Sequence, residues 1–339
     1  MTALRVATVG AGYFSRFHHE GWAAIDEVQH IGACDRDIGR AMATGVAAFD
    51  DLGTMLRLTT PDLLDIILPP AAHRTALETA FSHGVGTVIC QKPFCRDLRE
   101  AREMVAAADA AGALLVVHEN VRFQPWYRRL KQLLDDGLLG EVQQMTFRLR
   151  PGDGQGPDAY LDRQPYFRTM DRLLVHETAV HWIDTFRFLF GDPVAVYADL
   201  RQVNPAIAGE DAGTILFDHP GGVRTLFDGN RSLDHAAANT RCTMGEALVE
   251  GTRGTITLRG DGSLWFRRFG EMVESSVMEA RDWKGFGGDC AAALEAHVVA
   301  ALREGRPPEN TAREYLRVIE IEEAVYRSAG AGQKIALAL

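Results

Sequence analysis

Three stretches of this sequence hold residue types that could do chemistry together: "GAGYFSRFH" from Gly10, "QKPF" from Gln91 and "HETAVHWID" from His176. The first has the form of a phosphate-cradling turn. Gly10 permits a tight bend, and Gly12 lets the main chain approach a pyrophosphate with no side chain between them. A helix starting just after it would offer free N–H groups and the positive end of its dipole. Ser15 stands where a third glycine is usual, a position that serves helix–strand packing and tolerates a small side chain. Asp35 ends the next apolar run, twenty residues after Ser15. At that distance a carboxylate can accept hydrogen bonds from ribose hydroxyls and repel a 2′-phosphate, which points to NAD. Arg36 beside it offers a guanidinium that could hold the phosphate of NADP instead.

Lys92 directly follows a buried-type strand, at the end where ligands of open α/β sheets sit. Pro93 holds it extended and is a candidate for a cis peptide. Beside a nicotinium ring the ammonium form is disfavoured, which suits Lys92 to proton transfer. In the third stretch, His176 and His181 are five residues apart, about 140° around a helix. Zinc motifs separate their histidines by four, so no metal is expected. Glu177, His181 and Asp184 fall at i, i+4 and i+7, one stripe of a helix read from Val175 to Phe190. Asp184 would fix the tautomer of His181, and His181 would hydrogen-bond or deprotonate a substrate hydroxyl. His176 falls toward the apolar side and reads as a packed residue. A solvated helix face is the plain alternative for the stripe.

The elements that must position these groups are legible in outline. Up to about residue 120, strand and helix patterns alternate: "LRVATV", "QHIGACD", "DLLDIIL", "VGTVIC" and "ALLVVHEN" are strands, with helical stretches between. One helix is read through to Ala48, followed by a turn. Alternation of this kind implies a parallel sheet covered on both faces. After Pro125 a helix, a strand and the polar loop Pro151 to Pro165 precede the long helix. Strands dominate from Val194 to Phe269, separated by turns such as "HPGG" and "GDG", as antiparallel neighbours require. Two helices follow. The expected fold is an α/β Rossmann domain at 1–121, and at 122–339 an α+β domain with a large, mainly antiparallel sheet for substrate binding and oligomerisation.

Composition narrows the partners. The 339 residues exceed what one core usually holds. A formal charge of −10 from 36 basic and 46 acidic residues argues against a nucleic-acid surface. Apolar runs of membrane-spanning length are absent. The start "MTALRVATVG" enters a strand without a leader pattern, so a cytoplasmic location is expected. Of the five cysteines, Cys90 and Cys95 flank the Lys92 strand end, where a reactive thiol competes with a buried filler as the reading.

Taken with "CDRD", "ILPPAAH", "VHENVRFQP", "DGLLGEV", "HETAVHWIDTFRFLFGDP" and "IEIEEAVYRSA", these stretches resemble, over nearly the whole length, the glucose–fructose oxidoreductase / inositol dehydrogenase / rhizopine-catabolism (Gfo/Idh/MocA) family of nicotinamide-dependent sugar dehydrogenases. The resemblance implies that Lys92 is the catalytic lysine, His181 the substrate histidine and Asp184 the aspartate one turn on. Glu177 stands where many members carry a catalytic or substrate-binding aspartate. The usual Glu-Lys-Pro is Gln91-Lys92-Pro93 here. "QKPF", "VHENVRFQ" and "GEDAG" are similar to the subgroup containing D-apiose dehydrogenases. The expected cofactor contacts are Gly10, Gly12, Tyr13, Phe14, Asp35, Arg36, Pro69, His73, Gln91, Lys92 and Asn120; Arg122 joins Lys92, Glu177 and His181 at the substrate. The implied activity is NAD(P)-dependent oxidation of a sugar, sugar acid or polyol hydroxyl by a homodimer or homotetramer paired through the second sheet. A non-catalytic NAD- or sugar-sensing protein on the same fold is the alternative. Such a sensor would have no need of a proton acceptor.

Overall fold

The computed structural model describes residues 3–283 and 285–338. Two compact units divide the chain: Met1–Asn120 with Ala291–Ile319, and Val121–Cys290 with Glu320–Leu339. The sequence-based division at residue 121 gave 291–319 to the second unit.

In the first unit the chain runs β1 (Leu4–Val9), α1 (Ser15–Ala23), β2 (Val28–Cys34), α2 (Ile38–Met42), β3 (Ala48–Phe49), α3 (Leu52–Thr59), β4 (Leu63–Ile66), α4 (Pro70–Ser82), β5 (Thr87–Gln91), α5 (Leu98–Ala111) and β6 (Leu114–His118). The strands form one parallel sheet in the order β3-β2-β1-β4-β5-β6. Every residue of β4 and β5 is buried, as both-face coverage by helices requires. The order reverses between β1 and β4, which makes the crevice beyond those strand ends the ligand position of an open sheet.

One stretch departs from the sequence reading. The helix read through to Ala48 stops at Met42, and Gly45 turns the chain at φ +81°, so Ala48 and Phe49 join the sheet beside β2. The expected turn is the helix α3, capped by Asp51, whose carboxylate accepts from the Thr54 N–H at 2.7 Å.

The second unit begins with α6 (Pro125–Asp135) and β7 (Val142–Leu149), then a π-wound turn at Leu174–Ala179 that feeds α7 (Val180–Phe190). Strands β8 (Ala195–Arg201), β9 (Ala212–Asp218), β10 (Arg224–Asn230), β11 (Gly245–Gly251), β12 (Gly254–Leu258), β13 (Leu264–Arg268) and β14 (Glu274–Met278) follow. Helices α8 (Cys290–Glu304) and α9 (Ala312–Ala331) and the short β15 (Ile335–Ala336) complete the chain. The nine-stranded sheet has the order β14-β13-β12-β11-β7-β10-β9-β8-β15 and is antiparallel except where β7 and β10 pair. β14 and β15 extend it beyond the strands read from the sequence. Its covered face is aromatic: Trp182 of α7 stacks on Phe147 at 4.2 Å between ring centres, and Phe227 lies 5.6 Å from Trp182.

Segment 291–319 belongs with the first unit for physical reasons. α8 crosses α1 so closely that a Cβ on Gly21 would overlap Glu295 Oε2 and lie 3.0 Å from Ala292 Cα. Thr311 bridges to Val116, and Asn310 Nδ2 and the Tyr315 hydroxyl donate to the Glu119 carbonyl and carboxylate at 2.8 and 3.1 Å.

Candidate active site

The glycine turn is built as its residues require. Gly10 has φ +100°, and a Cβ there would overlap the Ile67 carbonyl oxygen, so backbone conformation and close approach both demand glycine. A Cβ on Gly12 would meet nothing within 4 Å, so that side of the turn is open. Ser15 is buried and donates to the Gly12 carbonyl at 2.7 Å, tying the turn to its helix. No side chain caps α1, which leaves its first-turn N–H groups suited to an anion. Asp35 accepts from the Ala11 N–H at 2.8 Å and the Asp37 N–H at 2.9 Å, so β2 and the turn are held in register by one carboxylate. Tyr13 and Arg36 are exposed, with the Arg16 guanidinium over the Tyr13 ring at 4.7 Å. Phe14 precedes α1, Pro69 is exposed at the N-terminus of α4, and Asn120 is buried just past β6. These residues fit a dinucleotide: an open glycine edge, an uncapped helix and a carboxylate beside it.

Lys92 is half-buried and joined to Pro93 by a cis peptide. Gln91 Oε1 accepts from the Lys92 main-chain N–H at 2.7 Å, and Gln91 Nε2 lies 2.9 Å from His18 Nε2. His18 Nδ1 lies 2.7 Å from Asp65 Oδ2, which also receives the Trp22 indole N–H at 2.8 Å. His73, expected against the cofactor, is instead fully buried: its ring nitrogens lie 2.7 Å from the Leu68 carbonyl and 2.9 Å from the Phe94 carbonyl. It links the strand ends after β4 and β5 from beneath, and burial lowers its pKa. Cys90 and Cys95 are buried, and burial first of all raises both thiols, the reverse of what a reactive thiolate needs.

The network behind Gln91 was not singled out in the sequence reading. His18, His118 and Glu295 each bring a ligand atom within 4.8 Å of the others. The His18 and His118 rings lie 4.0 Å apart between centres, tilted by 31°, and Glu295 Oε1 lies 3.5 Å from His18 Nδ1 and 3.8 Å from His118 Nε2. His18 is already engaged on both sides by Asp65 and Gln91. That leaves two donors, short of the four a structural zinc takes. Burial, then the neighbouring Asp65 charge, holds Glu295 well above the ordinary carboxylate range. Burial and then His18 push His118 down to about 3. Burial also opposes the charge on Asp65, but His18, His118 and the Trp22 N–H keep its pKa below the usual value. A carboxylate inside the apolar run "LLDII" was the available signal, since such a group is buried only when partnered.

In the second unit the expected stripe is interrupted. Glu177 lies in the π-wound turn, where residues five apart align, while His181 and Asp184 follow on α7. Glu177 and His181 are 8% and 6% exposed, and Asp184 is fully buried. Asp184, expected to orient His181, receives the Arg122 fork: Nε to Oδ2 at 2.7 Å and a terminal nitrogen to Oδ1 at 2.5 Å. Arg122, expected at the sugar, is thus committed to a protein carboxylate. His176 is a packed residue, its Nδ1 2.7 Å from Glu322 Oε1. The π turn is pinned from three sides: Glu210 Oε1 accepts from the Val175 N–H at 3.1 Å, Glu322 meets His176, and Arg231 donates to Thr178 Oγ1.

The polar loop 151–165 is anchored as well. Asp153 accepts from Arg163 at 2.9 Å and Arg231 at 3.0 Å, and Arg231 Nε donates to the Tyr160 hydroxyl at 2.5 Å. Asn204 Nδ2 donates to the Gly154 and Gly156 carbonyls at 2.7 and 2.8 Å. Tyr160, Phe167, Leu173 and Ile207 pack beneath it.

Comparison with known proteins agrees with this architecture. A family model described as "Oxidoreductase family, NAD-binding Rossmann fold" matches residues 4–119, and "GFO/IDH/MocA C-terminal domain" matches residues 127–257. A D-apiose dehydrogenase of Paraburkholderia graminis is 34% identical over 98% of this chain and 89% of that protein. A second D-apiose dehydrogenase, from Rhizobium rhizogenes, is 29% identical over 99% and 98%. An oxidoreductase from Agrobacterium radiobacter, crystallised with NAD+, L-tartaric acid and magnesium, superposes with a TM-score of 0.88 at 28% identity, covering 99% of this chain and 98% of that one.

Proposed function

The chain belongs to the Gfo/Idh/MocA family of NAD-binding oxidoreductases, and from that premise we propose that it oxidises one hydroxyl of a sugar, sugar acid or polyol, with Lys92 as proton acceptor and D-apiose as the first substrate to test. The observation that carries the proposal is the anchoring of Lys92. Its main chain is hydrogen-bonded to Gln91 at the carboxyl end of β5, in a unit whose glycine turn is open for a dinucleotide.

The bound nicotinamide supplies the hydride acceptor. Lys92 takes the hydroxyl proton, assisted by His181, and Glu177 accepts hydrogen bonds from neighbouring hydroxyls. Asp184 and Arg122 fix the backbone around His181 by their mutual ion pair. Asp35 accepts from the adenosine ribose and disfavours a 2′-phosphate, so NAD is used in preference to NADP. The loop 151–165 shapes the substrate side, with Arg231 and Asn204 setting its form.

Homo-oligomerisation through the second sheet belongs to the same proposal. Tyr197, Leu216, Leu226, Thr146, Leu248 and Thr257 are direct cross-strand neighbours and form one row on the less covered face. Each is exposed or half-buried. Light scattering should give a dimer or tetramer, and Leu248→Glu should dissociate it. No described helix is long and apolar enough to cross a membrane.

The purified protein should be incubated with NAD+ or NADP+ and D-apiose, other pentoses, hexoses, polyols and aldonic acids, following NADH or NADPH absorbance. Turnover with NAD+ is expected on at least one of them. Lys92→Met should lower kcat by about 10²–10⁴ while retaining NAD+ affinity. Normal turnover in that variant overturns the role of Lys92. NAD+ binding without turnover on any compound would instead favour a sensor.

A further inference from the structure

The buried chain of groups ending at Lys92 admits one arrangement of protons. Asp65 Oδ2 receives the Trp22 N–H and can only accept from His18, so His18 Nδ1 carries the ring proton. On its other side, His18 Nε2 lies 2.9 Å from the Gln91 amide nitrogen, which can only donate, so that ring nitrogen is bare. Gln91 Oε1 is then the acceptor turned to the Lys92 N–H at 2.7 Å. Rotating the amide by half a turn would set an oxygen against a bare ring nitrogen and an NH2 against an N–H. The orientation of Gln91 is therefore decided by its two neighbours rather than by local packing.

We propose that Gln91 is a positioning residue for Lys92, which its amide holds in place only while buried His18 is the neutral Nδ1–H tautomer. The proposal rests on the assignment of Lys92 as the proton acceptor. If His18 gained a proton at Nε2, the Gln91 donor would lose its acceptor, and the amide could meet His18 only by turning its NH2 onto the Lys92 N–H. The groups facing His18 come from every side: Asp65 on β4, Gln91 on β5, His118 on β6, Glu295 on α8, and His19 on its own helix.

The discriminating substitution is Gln91→Glu, which keeps the shape and replaces the donor by a second acceptor. The introduced carboxylate and the bare nitrogen of His18 then face each other as two acceptors unless a proton lies between them. The variant should hold that extra proton at neutral pH and lose it as pH rises. Its kcat at pH 9 should fall about ten- to hundredfold below its value at pH 7, a misplacement-sized loss. The wild type should show no such alkaline limb. Gln91→Met should lower kcat at every pH without adding a limb. A Gln91→Glu enzyme with the wild-type kcat and pH profile overturns the proposal.

A second measurement needs no Gln91 variant. Ring 15N spectra of histidine-labelled wild type, with His18 assigned through His18→Asn, should show protonated Nδ1 and bare Nε2 at pH 7.5. A ring protonated at Nε2 overturns the proposal. Full activity in Lys92→Met would instead remove the role of Lys92 and leave the tautomer result standing, so the two failures are separable.

Discussion

Arg231 in the second unit donates from each of its guanidinium nitrogens, to Tyr160, Thr178 and Asp153. Glu295 in the first unit is as deeply buried, yet neither of its carboxylate oxygens has a hydrogen-bond partner among the described residues. The Arg231 guanidinium is bonded at every nitrogen, which makes it a fastener: loss of its carboxylate leaves a buried charge uncompensated. The cluster around His18 is directional and unsaturated, with both nitrogens of His118 also unpartnered. A network of that kind keeps polar atoms whose pairing a substitution can change.

Breaking the fastener should give the largest effect. Asp153→Ala leaves Arg231 buried without its carboxylate and should destabilise the second unit by about 3–5 kcal/mol, read as a lower urea midpoint. The same contact has a pH signature. Burial works against the Asp153 charge, but Arg231 and Arg163 outweigh it and hold the carboxyl below its ordinary value of 3.8. The folded state thus loses this proton more readily than the unfolded chain. Its contribution is present above the ordinary carboxylate range and is lost as pH falls through the depressed value. Acid titration of wild type and Asp153→Ala should converge in stability at low pH.

The unsaturated cluster should behave the other way. The pKa of Glu295 is raised above 4.5, so the folded state keeps a proton the unfolded chain releases, and stability declines as pH rises above that value. Glu295→Gln stays neutral throughout. It should flatten the decline between pH 5 and 8 and gain on the order of 1–3 kcal/mol at pH 8, the cost of an unpartnered buried polar group. A variant less stable than wild type at pH 8 would show that the carboxylate has a partner in solution. The smallest effect is expected at Ser15→Ala, which removes one hydrogen bond to the Gly12 carbonyl and should cost about 0.5–1.5 kcal/mol, measured by thermal unfolding.

What the sequence disclosed divides along the same line. The placement of the glycine turn, Asp35 and Lys92 at strand ends was legible because it follows from local pattern alone. His18, Asp65 and Glu295, and their link to Gln91, were not, because their meeting depends on strand order and on a helix returning from the far end of the chain. The stripe from Glu177 to Asp184 was misjudged for another reason. Helical spacing assumes one winding throughout, whereas Glu210, Glu322 and Arg231 hold a wider turn at its start. Arg122 and Asp184 were both seen as chemical groups, but nothing in their spacing of sixty-two positions said they would bind each other. The helix α3 was passed over although Asp51 stands at its cap, because a single capping residue before a short run competes with a turn.

The return of α8 to α1 has a consequence during synthesis. A ribosome that has finished β6 must add about 170 further residues before α8 emerges, on the order of ten to thirty seconds at 5–20 residues per second. Throughout that interval Gly21 faces no helix and the two histidine rings have no carboxylate across from them. The nascent nucleotide unit is therefore an incomplete surface that chaperones can hold. Expression of residues 1–120 alone should yield the same unfinished state permanently.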